Sequence, residues 1–355
     1  MTRHESRIEL PAVPDQLAGE DGQPLFGAYR GVIPDASFRK LSGPGYRLGR
    51  LERIRLEKSW HYTCLASRDW FFGMVIVRLG YASTAFAYLF DRQQQRFVVD
   101  ESILGPPWPA SLVQVTDAPG SGARSVFRLP GFHLSILQPP GTGRYQVRCT
   151  LHASETKLDL AAELDAEHAP PGLTAICPVA AEGKVNLTAK QVALPARGRI
   201  LLDEQRVELD AGCFGALDYS HGYLAHQTSW MWACAGGKAT ARSRRPVGLN
   251  LVCGFNDGLE NAVWVGDRIV PVGGELSFRR GTGPLDDWQI RSADGELDLR
   301  FTPEGVRSDE RDLGLISSSY TQPVGRFSGR LPGPDGRAVQ VEDLAGVCEE
   351  HDSRW

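Results

Sequence analysis

Acidic, aromatic and histidine side chains are concentrated between residues 218 and 232. In and near this stretch, four residues could take part in acid–base chemistry: Asp218, Tyr219, His221 and Glu260. Burial in an apolar pocket raises the pKa of a carboxyl group, so Asp218 or Glu260 could keep a proton near neutral pH. Such an acid could protonate a C=C bond, and Tyr219 or His221 could then position water or accept a proton. We therefore predict these four as catalytic residues.

Further aromatic and polar residues could form the wall of a pocket. Trp230 and Trp232 alternate around Met231, so both indoles share one face of a strand. An indole offers a large apolar surface and one N–H donor, and its π face can stabilise a cation. Aromatic walls with a few convergent polar groups are typical of ligand sites. The predicted ligand-binding residues are Tyr223, His226, Trp230, Trp232, Asn250, Asn261 and Trp264.

Both sets of residues also fit a purely structural role. Tryptophan in β-proteins usually packs in the core, and buried Asp, His and Asn often tie strands together by hydrogen bonds. Strand alternation also places Asp218 on the opposite face from Tyr219 and His221. The sequence leaves open whether the tryptophans form core or pocket wall, and whether Asp218 and His221 form a site or a structural network.

The short motifs of common enzyme classes are incomplete in this chain. Residues 236–240 lack the first glycine of a phosphate-binding loop, since Trp232 occupies that position. Asp218 stands where a nucleophile elbow needs its first glycine. His221 and His226 face opposite sides of a strand, and the seven cysteines form no Cys-x-x-Cys pair. We therefore expect no serine-hydrolase triad, no metal and no cofactor.

Strand-like segments with turn signals between them recur along the chain. The 39 Gly and 23 Pro disfavour long helices. Gly266-Asp267 and Asp294-Gly295 mark hairpins, because these residues accept the positive φ of tight turns. Residues 184–192 and 198–203 are predicted as separate strands, and Ser111–Val115 as a short helix. The pattern predicts an all-β fold of antiparallel barrels or sandwiches with few short helices.

Length and charge restrict the class of protein. The chain has 355 residues, enough for about two domains, and its net charge of −4 argues against nucleic acid as a partner. The apolar run Trp70–Phe90 is interrupted by Gly73, Arg78 and Gly80, so it predicts two strands and no integral membrane segment. Peripheral contact with a membrane stays open. The first residues lack an apolar signal segment and the cysteines are widely spaced, so we predict a cytoplasmic protein.

Several sequence elements resemble a bacterial family known as domain of unknown function 2804. They are Asp218-Tyr-Ser-x-Gly-Tyr, Trp230-x-Trp-Ala, Gly248-Leu-Asn-Leu, Glu260-Asn-Ala-x-Trp and the closing Gly346-x-x-Glu-x-His-x-x-Arg-Trp355. That family is similar to two-domain lipocalin-like proteins, which include carotenoid 1,2-hydratase, AttH-like proteins and several cyclases. In those relatives a strand with Asp and His precedes a Gly-Trp-x-Trp strand; here Ser229 takes the place of that glycine. The resemblance implies paired lipocalin-like barrels of the calycin type with an apolar cavity.

Together, the residues and the resemblance predict two lipocalin-like antiparallel β-barrels or sandwiches packed against each other. We predict an N-terminal domain over residues 1–222, which includes an arm at 1–49, and a C-terminal domain over residues 223–355. The expected partner is a hydrophobic small molecule such as an isoprenoid, a lipid or a polyketide-like compound. Two functions stay open: an acid-catalysed hydratase, cyclase or isomerase that acts on a C=C bond, and a non-catalytic carrier of lipid or isoprenoid.

Overall fold

Two antiparallel β-sheets account for nearly all of the regular structure in the computed structural model of the chain. The structure describes residues 9–152, 155–180, 184–243, 245–312 and 316–355. Residues 1–8 of the predicted N-terminal arm lie outside these described residues. No helix among the described residues has the length and apolar character needed to cross a membrane.

The first sheet contains 13 strands in the order β5-β4-β3-β2-β13-β12-β10-β9-β8-β7-β6, and β11 also pairs with β12 and with β1. The α-helix α1 (Arg50–Leu56) and a 3-10 turn (Phe38–Lys40) precede β2. The strands are β1 (Gly27–Arg30), β2 (Glu57–Ala66), β3 (Trp70–Arg78), β4 (Ser83–Asp91), β5 (Arg96–Gly105), β6 (Val113–Gln114), β7 (Arg124–Leu129), β8 (Phe132–Leu137), β9 (Arg144–Leu151), β10 (Leu158–Asp165), β11 (Leu173–Pro178), β12 (Val185–Leu202) and β13 (Gln205–Tyr223).

The second sheet contains nine strands in the order β17-β16-β15-β14-β22-β21-β20-β19-β18. A 3-10 turn (Asn256–Gly258) follows its second strand. The strands are β14 (Gln227–Lys238), β15 (Pro246–Cys253), β16 (Ala262–Val265), β17 (Arg268–Pro271), β18 (Leu276–Arg280), β19 (Trp288–Ser292), β20 (Asp298–Asp312), β21 (Ser317–Pro332) and β22 (Ala338–Arg354).

Both sheets curl, one into a nearly closed barrel and the other into a half-barrel, which confirms the predicted all-β class. The predicted helix at Ser111–Val115 is wrong: the chain forms a turn there and then the two-residue strand β6. The backbone N–H groups of Leu112 and Val113 both donate to the carbonyl of Pro109, which closes this turn. The two sheets are joined between Tyr223 and Gln227; the division into domains at residue 222 stays a prediction.

Three apolar clusters show which faces of the sheets are buried. One cluster consists of residues of the first sheet and one of residues of the second. The third takes residues from both sheets, for example Tyr88 and Phe90 from β4, and Trp264 and Val347 from β16 and β22. Because side chains alternate along a strand, β4 contributes Leu89 to the first cluster and its neighbours to the third. The two sheets therefore pack against each other through their outer faces.

A bulge in β12 fits the two sheets together. The pairing of β12 with β13 shifts register between Gln191 and Leu194, and Ala193 has a φ of 53°. A Cβ atom at Gly236 would lie only 2.4 Å from the backbone nitrogen of Ala193, and one at Gly248 only 2.3 Å from the side chain of Val192. Glycine at these two positions lets β14 and β15 approach the bulge closely.

Candidate functional site

A cavity of about 470 Å³ lies between the two sheets. Its lining comes from β2, β3, β4, β5, β12 and β13 of the first sheet and from β14, β15, β20, β21 and β22 of the second. The first and second apolar clusters lie within the individual sheets. The space that could hold a ligand is thus formed where the outer faces of the sheets meet, and not inside one barrel.

Aromatic rings form a large part of the cavity wall. Trp60 on β2 and Trp230 on β14 stack across the two sheets, with ring centroids 6.0 Å apart and planes within 14°. Trp232 meets Tyr62 edge to face at 5.6 Å. The aliphatic and further aromatic lining includes Val75, Val77, Phe86, Leu104, Val252 and Phe255. Such walls favour a flat or extended apolar ligand.

Three buried charged groups meet at one side of the cavity. The Nζ atom of Lys190 lies 2.5 Å from Oδ1 of Asp218 and 2.9 Å from Oε2 of Glu260. Burial, together with the charge of Glu260, raises the pKa of Asp218 despite the opposing effect of Lys190. Burial lowers the pKa of Lys190, but the two carboxylates outweigh that effect and raise it. One cation cannot neutralise two anions, so the group favours retention of one proton.

Two side-chain amides donate hydrogen bonds to the carboxylate of Glu260, which therefore has more donors than the carboxyl group of Asp218. Asn250 Nδ2 donates to Glu260 Oε2 at 3.0 Å, and Asn256 Nδ2 donates to Glu260 Oε1. The indole N–H of Trp232 donates to Asn250 Oδ1 at 2.8 Å. Asp218 accepts from Lys190 and from the indole of Trp60. Fewer donors oppose protonation of Asp218, whose pKa burial raises, so Asp218 is the candidate acid.

A further carboxyl group on the cavity wall, that of Glu349, was missed by reasoning from the sequence. Its oxygens accept hydrogen bonds from Trp230 Nε1 and from Gln322 Nε2, each at 2.8 Å. Burial raises the pKa of Glu349 to about 7, although these donors oppose the shift. The ring of His351, two residues further along β22, lies 4.3 Å from that of Trp230. Both residues occur in the closing motif Gly346-x-x-Glu-x-His, which is the signal that could have identified them.

Four of the eleven predicted site residues line the cavity: Asp218, Glu260, Trp230 and Trp232. Tyr219, His221 and Tyr223 alternate with Asp218 and face the opposite side of β13. The ring of His221 stacks on Phe38 at 3.9 Å, and its Nε2 lies 3.2 Å from Glu57 Oε1. Tyr219 and Tyr223 belong to the apolar cluster of the first sheet. The structure does not bring these three residues to the cavity.

The remaining predicted ligand-binding residues are absent from the cavity lining. Asn250 sits behind the wall, where it links Trp232 to Glu260. Asn261 bonds to both backbone groups of Val252, at 2.6 and 3.1 Å. Trp264 is fully buried and donates to the carbonyl of Pro171 at 2.7 Å. His226 is exposed on the connection that precedes β14.

Away from the cavity, three residues have the donor types of a metal site. The ligand atoms of Asp165, Glu167 and His168 lie within 4.8 Å of one another. His168 Nδ1 is 2.9 Å from Asp165 Oδ2, so the histidine already has a partner within the group. Glu167 and His168 are exposed, and exposed acidic groups of this kind are common on protein surfaces.

Two curled antiparallel sheets, one a nearly closed barrel and the other a half-barrel, define an all-β protein with a largely apolar cavity between the sheets. The chain belongs to the family described as Domain of unknown function (DUF2804), which matches residues 7–355. The family that was identified from the sequence elements is therefore confirmed. No curated protein sequence matches the chain.

The chain is similar to solved structures of other proteins. The crystal structure of CghA with Sch210972 has a TM-score of 0.54 at 11% identity and covers 97% of both chains. Kievitone hydratase from Nectria haematococca has a TM-score of 0.44 at 10% identity and covers 87% of this chain and 93% of its own. A putative AttH from Nitrosomonas europaea has a TM-score of 0.41 at 10% identity, with coverage of 87% and 97%. At these identities the likeness concerns the fold alone.

Proposed function

We propose that the cavity between the sheets binds an apolar, unsaturated small molecule and catalyses proton transfer to it. The observation that carries this proposal is the position of the Asp218–Lys190–Glu260 group on the wall of a cavity whose surface is mostly apolar and includes the indoles of Trp60, Trp230 and Trp232. A volume of about 470 Å³ falls within the usual size of small-molecule sites. An acid in such surroundings keeps its proton until a substrate takes it.

In the proposed reaction, the proton of the Asp218 carboxyl group forms a C–H bond at one carbon of the C=C bond. The π electrons supply that bond, and a cation remains at the other carbon, where the faces of Trp230 and Trp232 stabilise it. Water then adds its oxygen to the cation and gives a proton to the Asp218 carboxylate, which restores the acid. Loss of a neighbouring proton to the same carboxylate would shift the double bond instead. The first outcome is hydration and the second is isomerisation.

The second candidate function is a non-catalytic carrier of lipid or isoprenoid. It is supported by the mutual satisfaction of the polar groups: Lys190 bonds to both carboxylates, and Asn250 and Asn256 hold Glu260. A network in which each polar group has a partner is explained by a structural role alone, namely joining the two sheets. A carrier needs the aromatic wall but no acid.

Two variants distinguish the catalytic function from the carrier function once a ligand is available. Native mass spectrometry of mildly purified protein identifies a co-purified ligand, and cis-parinaric acid serves as an apolar polyene probe of the cavity. Asp218→Asn is expected to retain binding and to lose turnover of an unsaturated ligand by about 10²–10⁴-fold, the usual contribution of a general acid. Trp230→Ala is expected to weaken binding of the probe. Asp210→Asn, an exposed position on the same strand, is the matched control.

Turnover by Asp218→Asn at the wild-type rate would contradict the catalytic role and leave the carrier function. Failure of the wild-type protein to retain any ligand and to bind the probe would contradict both functions.

A further inference from the structure

Residues 38–58 form a basic segment of the chain. Residues 38–58 contain seven Lys and Arg and only two Asp and Glu, a net charge of +5 in a chain whose total is −4. Five of these cations are exposed: Arg39, Lys40, Arg47, Arg50 and Arg55. The concentration of positive charge predicts attraction to an anionic surface.

Exposed apolar side chains accompany this charge. Leu51 and Ile54, three residues apart on the same face of α1, are 82% and 36% exposed. Trp108 is 69% exposed and Leu104 is 54% exposed. Single exposed apolar residues are common on protein surfaces. Four large exposed apolar side chains that lie together beside a basic segment would instead indicate a binding surface.

The strand pairing places these residues at one end of the first sheet. Ser59, near the start of β2, pairs with Arg78 at the end of β3, and Ser83 at the start of β4 pairs with Gly105 at the end of β5. Helix α1 directly precedes β2, and the loop with Trp108 directly follows β5. Three places therefore lie at the same end of the first sheet: the start of β2, the turn between β3 and β4, and the end of β5.

The same end of the sheet borders the cavity. Gly80 lies against α1, because a Cβ atom there would be only 2.4 Å from the carbonyl oxygen of Ile54. Its neighbours Leu79 and Tyr81 line the cavity, as does the exposed Leu104.

Phe38 stacks on His221, which pairs with Ser59 at the start of β2, so residues 39–49 lead from this end of the sheet to α1. The exposed residues of 39–55, with Leu104 and Trp108, form what we call the basic–apolar face. Because Leu104 is exposed and also lines the cavity, the cavity reaches the surface beside this face.

We infer that the basic–apolar face docks on the surface of an anionic lipid bilayer. Basic side chains attract the anionic headgroups, and leucine, isoleucine and tryptophan side chains enter the boundary between headgroups and acyl chains. Nucleic acid would attract the arginines equally well but would leave Leu51 and Ile54 without an apolar partner. The docking goes beyond the proposed function, since it needs no catalysis. It would let an apolar ligand pass from the bilayer into the cavity without crossing water.

The test is co-sedimentation of the full chain with vesicles of phosphatidylcholine alone or of equimolar phosphatidylcholine and phosphatidylglycerol. Binding is expected only to the anionic vesicles and is expected to weaken with salt. In Arg47→Ala/Arg50→Ala, partitioning should fall about 25-fold, at about fivefold for each basic residue. In Leu51→Ser it should fall at least about tenfold. Arg279→Ala and Leu285→Ser change exposed residues of the second half of the chain and should bind as the wild type does.

Equal binding to both kinds of vesicle, no binding to either, or equal loss in the control variants would overturn the inference. So would tight binding to a single-stranded oligonucleotide that is unaffected by Leu51→Ser, because the partner would then be a soluble polyanion. Binding of cis-parinaric acid without vesicles is measured for each variant. A variant that loses vesicle binding but still binds the probe is impaired at the basic–apolar face. A variant that loses only probe binding is impaired in the cavity and tests the proposed function.

Discussion

At the scale of single residues, Glu349 should make the stability of the protein depend on pH. Its carboxyl group is buried against Trp230 and Gln322, and burial raises its pKa from 4.5 to about 7. Between these values the folded chain keeps a proton that the unfolded chain has lost. The stability from this group is therefore fully present below about pH 4.5 and is lost as the pH rises through about 7, by on the order of 3 kcal/mol.

Glu349→Gln is expected to remove this loss, since the amide does not ionise. The free energy of unfolding by urea, measured at about pH 5 and about pH 8, should fall with pH more steeply in the wild type than in the variant. Burial lowers the pKa of His61 and His351 to about 3, so these groups lower stability as the pH falls below 6.5. Their contribution is common to both proteins and cancels in the comparison. Glu350→Gln is the control, and identical slopes for all three proteins would refute the assignment.

Residue type and alternation predict part of the cavity wall. Trp230 and Trp232 share a face because they are two residues apart, and Asp218 separates from Tyr219 for the same reason. Lys190 was not foreseen, because a lysine on a strand usually faces solvent. Its burial follows from the pairing of Lys190 with Asp218 across β12 and β13 and from the approach of Glu260 from the other sheet. Contacts between residues so far apart in sequence cannot be predicted from the local pattern of residue types.

At the scale of elements, the bulge of β12 should depend on the glycines that face it. In Gly236→Ala, the new Cβ would lie 2.4 Å from the backbone nitrogen of Ala193, which cannot rotate away. The sheets would have to separate locally, and overpacking of this kind costs about 1–3 kcal/mol. Gly212→Ala is the matched control: it is also on a strand, and nothing lies within 4 Å of its new Cβ. Urea unfolding of both variants measures the effect, and an equally stable Gly236→Ala would show that the bulge does not need the glycine.

The same bulge explains why the sequence predicts strand positions better than strand lengths. The pattern predicts two separate strands over residues 184–192 and 198–203, with Pro195 between them. In the structure, β12 runs unbroken from Val185 to Leu202, and its pairing with β13 shifts register on either side of Pro195. The irregular residues are absorbed as bulges because strands on both sides hold the chain in place.

At the scale of the whole molecule, the cavity exists because two sheets are buried on both faces. The sequence indicates apolar and polar faces on each strand, but not which outer faces meet. That meeting is determined by contacts between distant residues. Tyr88 donates to Gln322 at 2.8 Å, and Arg307 Nε donates to Asp100 at 2.7 Å. The sequence therefore predicts paired barrels with an apolar cavity, but not that the cavity lies between the two sheets.

The shared interface should make the two sheets unfold together. Arg92, in the turn between β4 and β5, donates to both carboxylate oxygens of Glu304 on β20 at 2.9 and 3.0 Å, and both side chains are largely buried. Calorimetry of the wild type should show one transition. Glu304 keeps a second cation, since Arg326 Nε lies 2.7 Å from its Oε1. Arg92→Leu therefore removes one of two ion pairs to Glu304, so the transition should move to lower temperature at a cost of about 1–3 kcal/mol and should stay single. Arg96→Leu, an exposed position on β5, should unfold as the wild type does. Two separate transitions in the wild type would mean that the third apolar cluster does not couple the sheets. The cavity, which is lined by both sheets, would then be lost at the first of the two transitions.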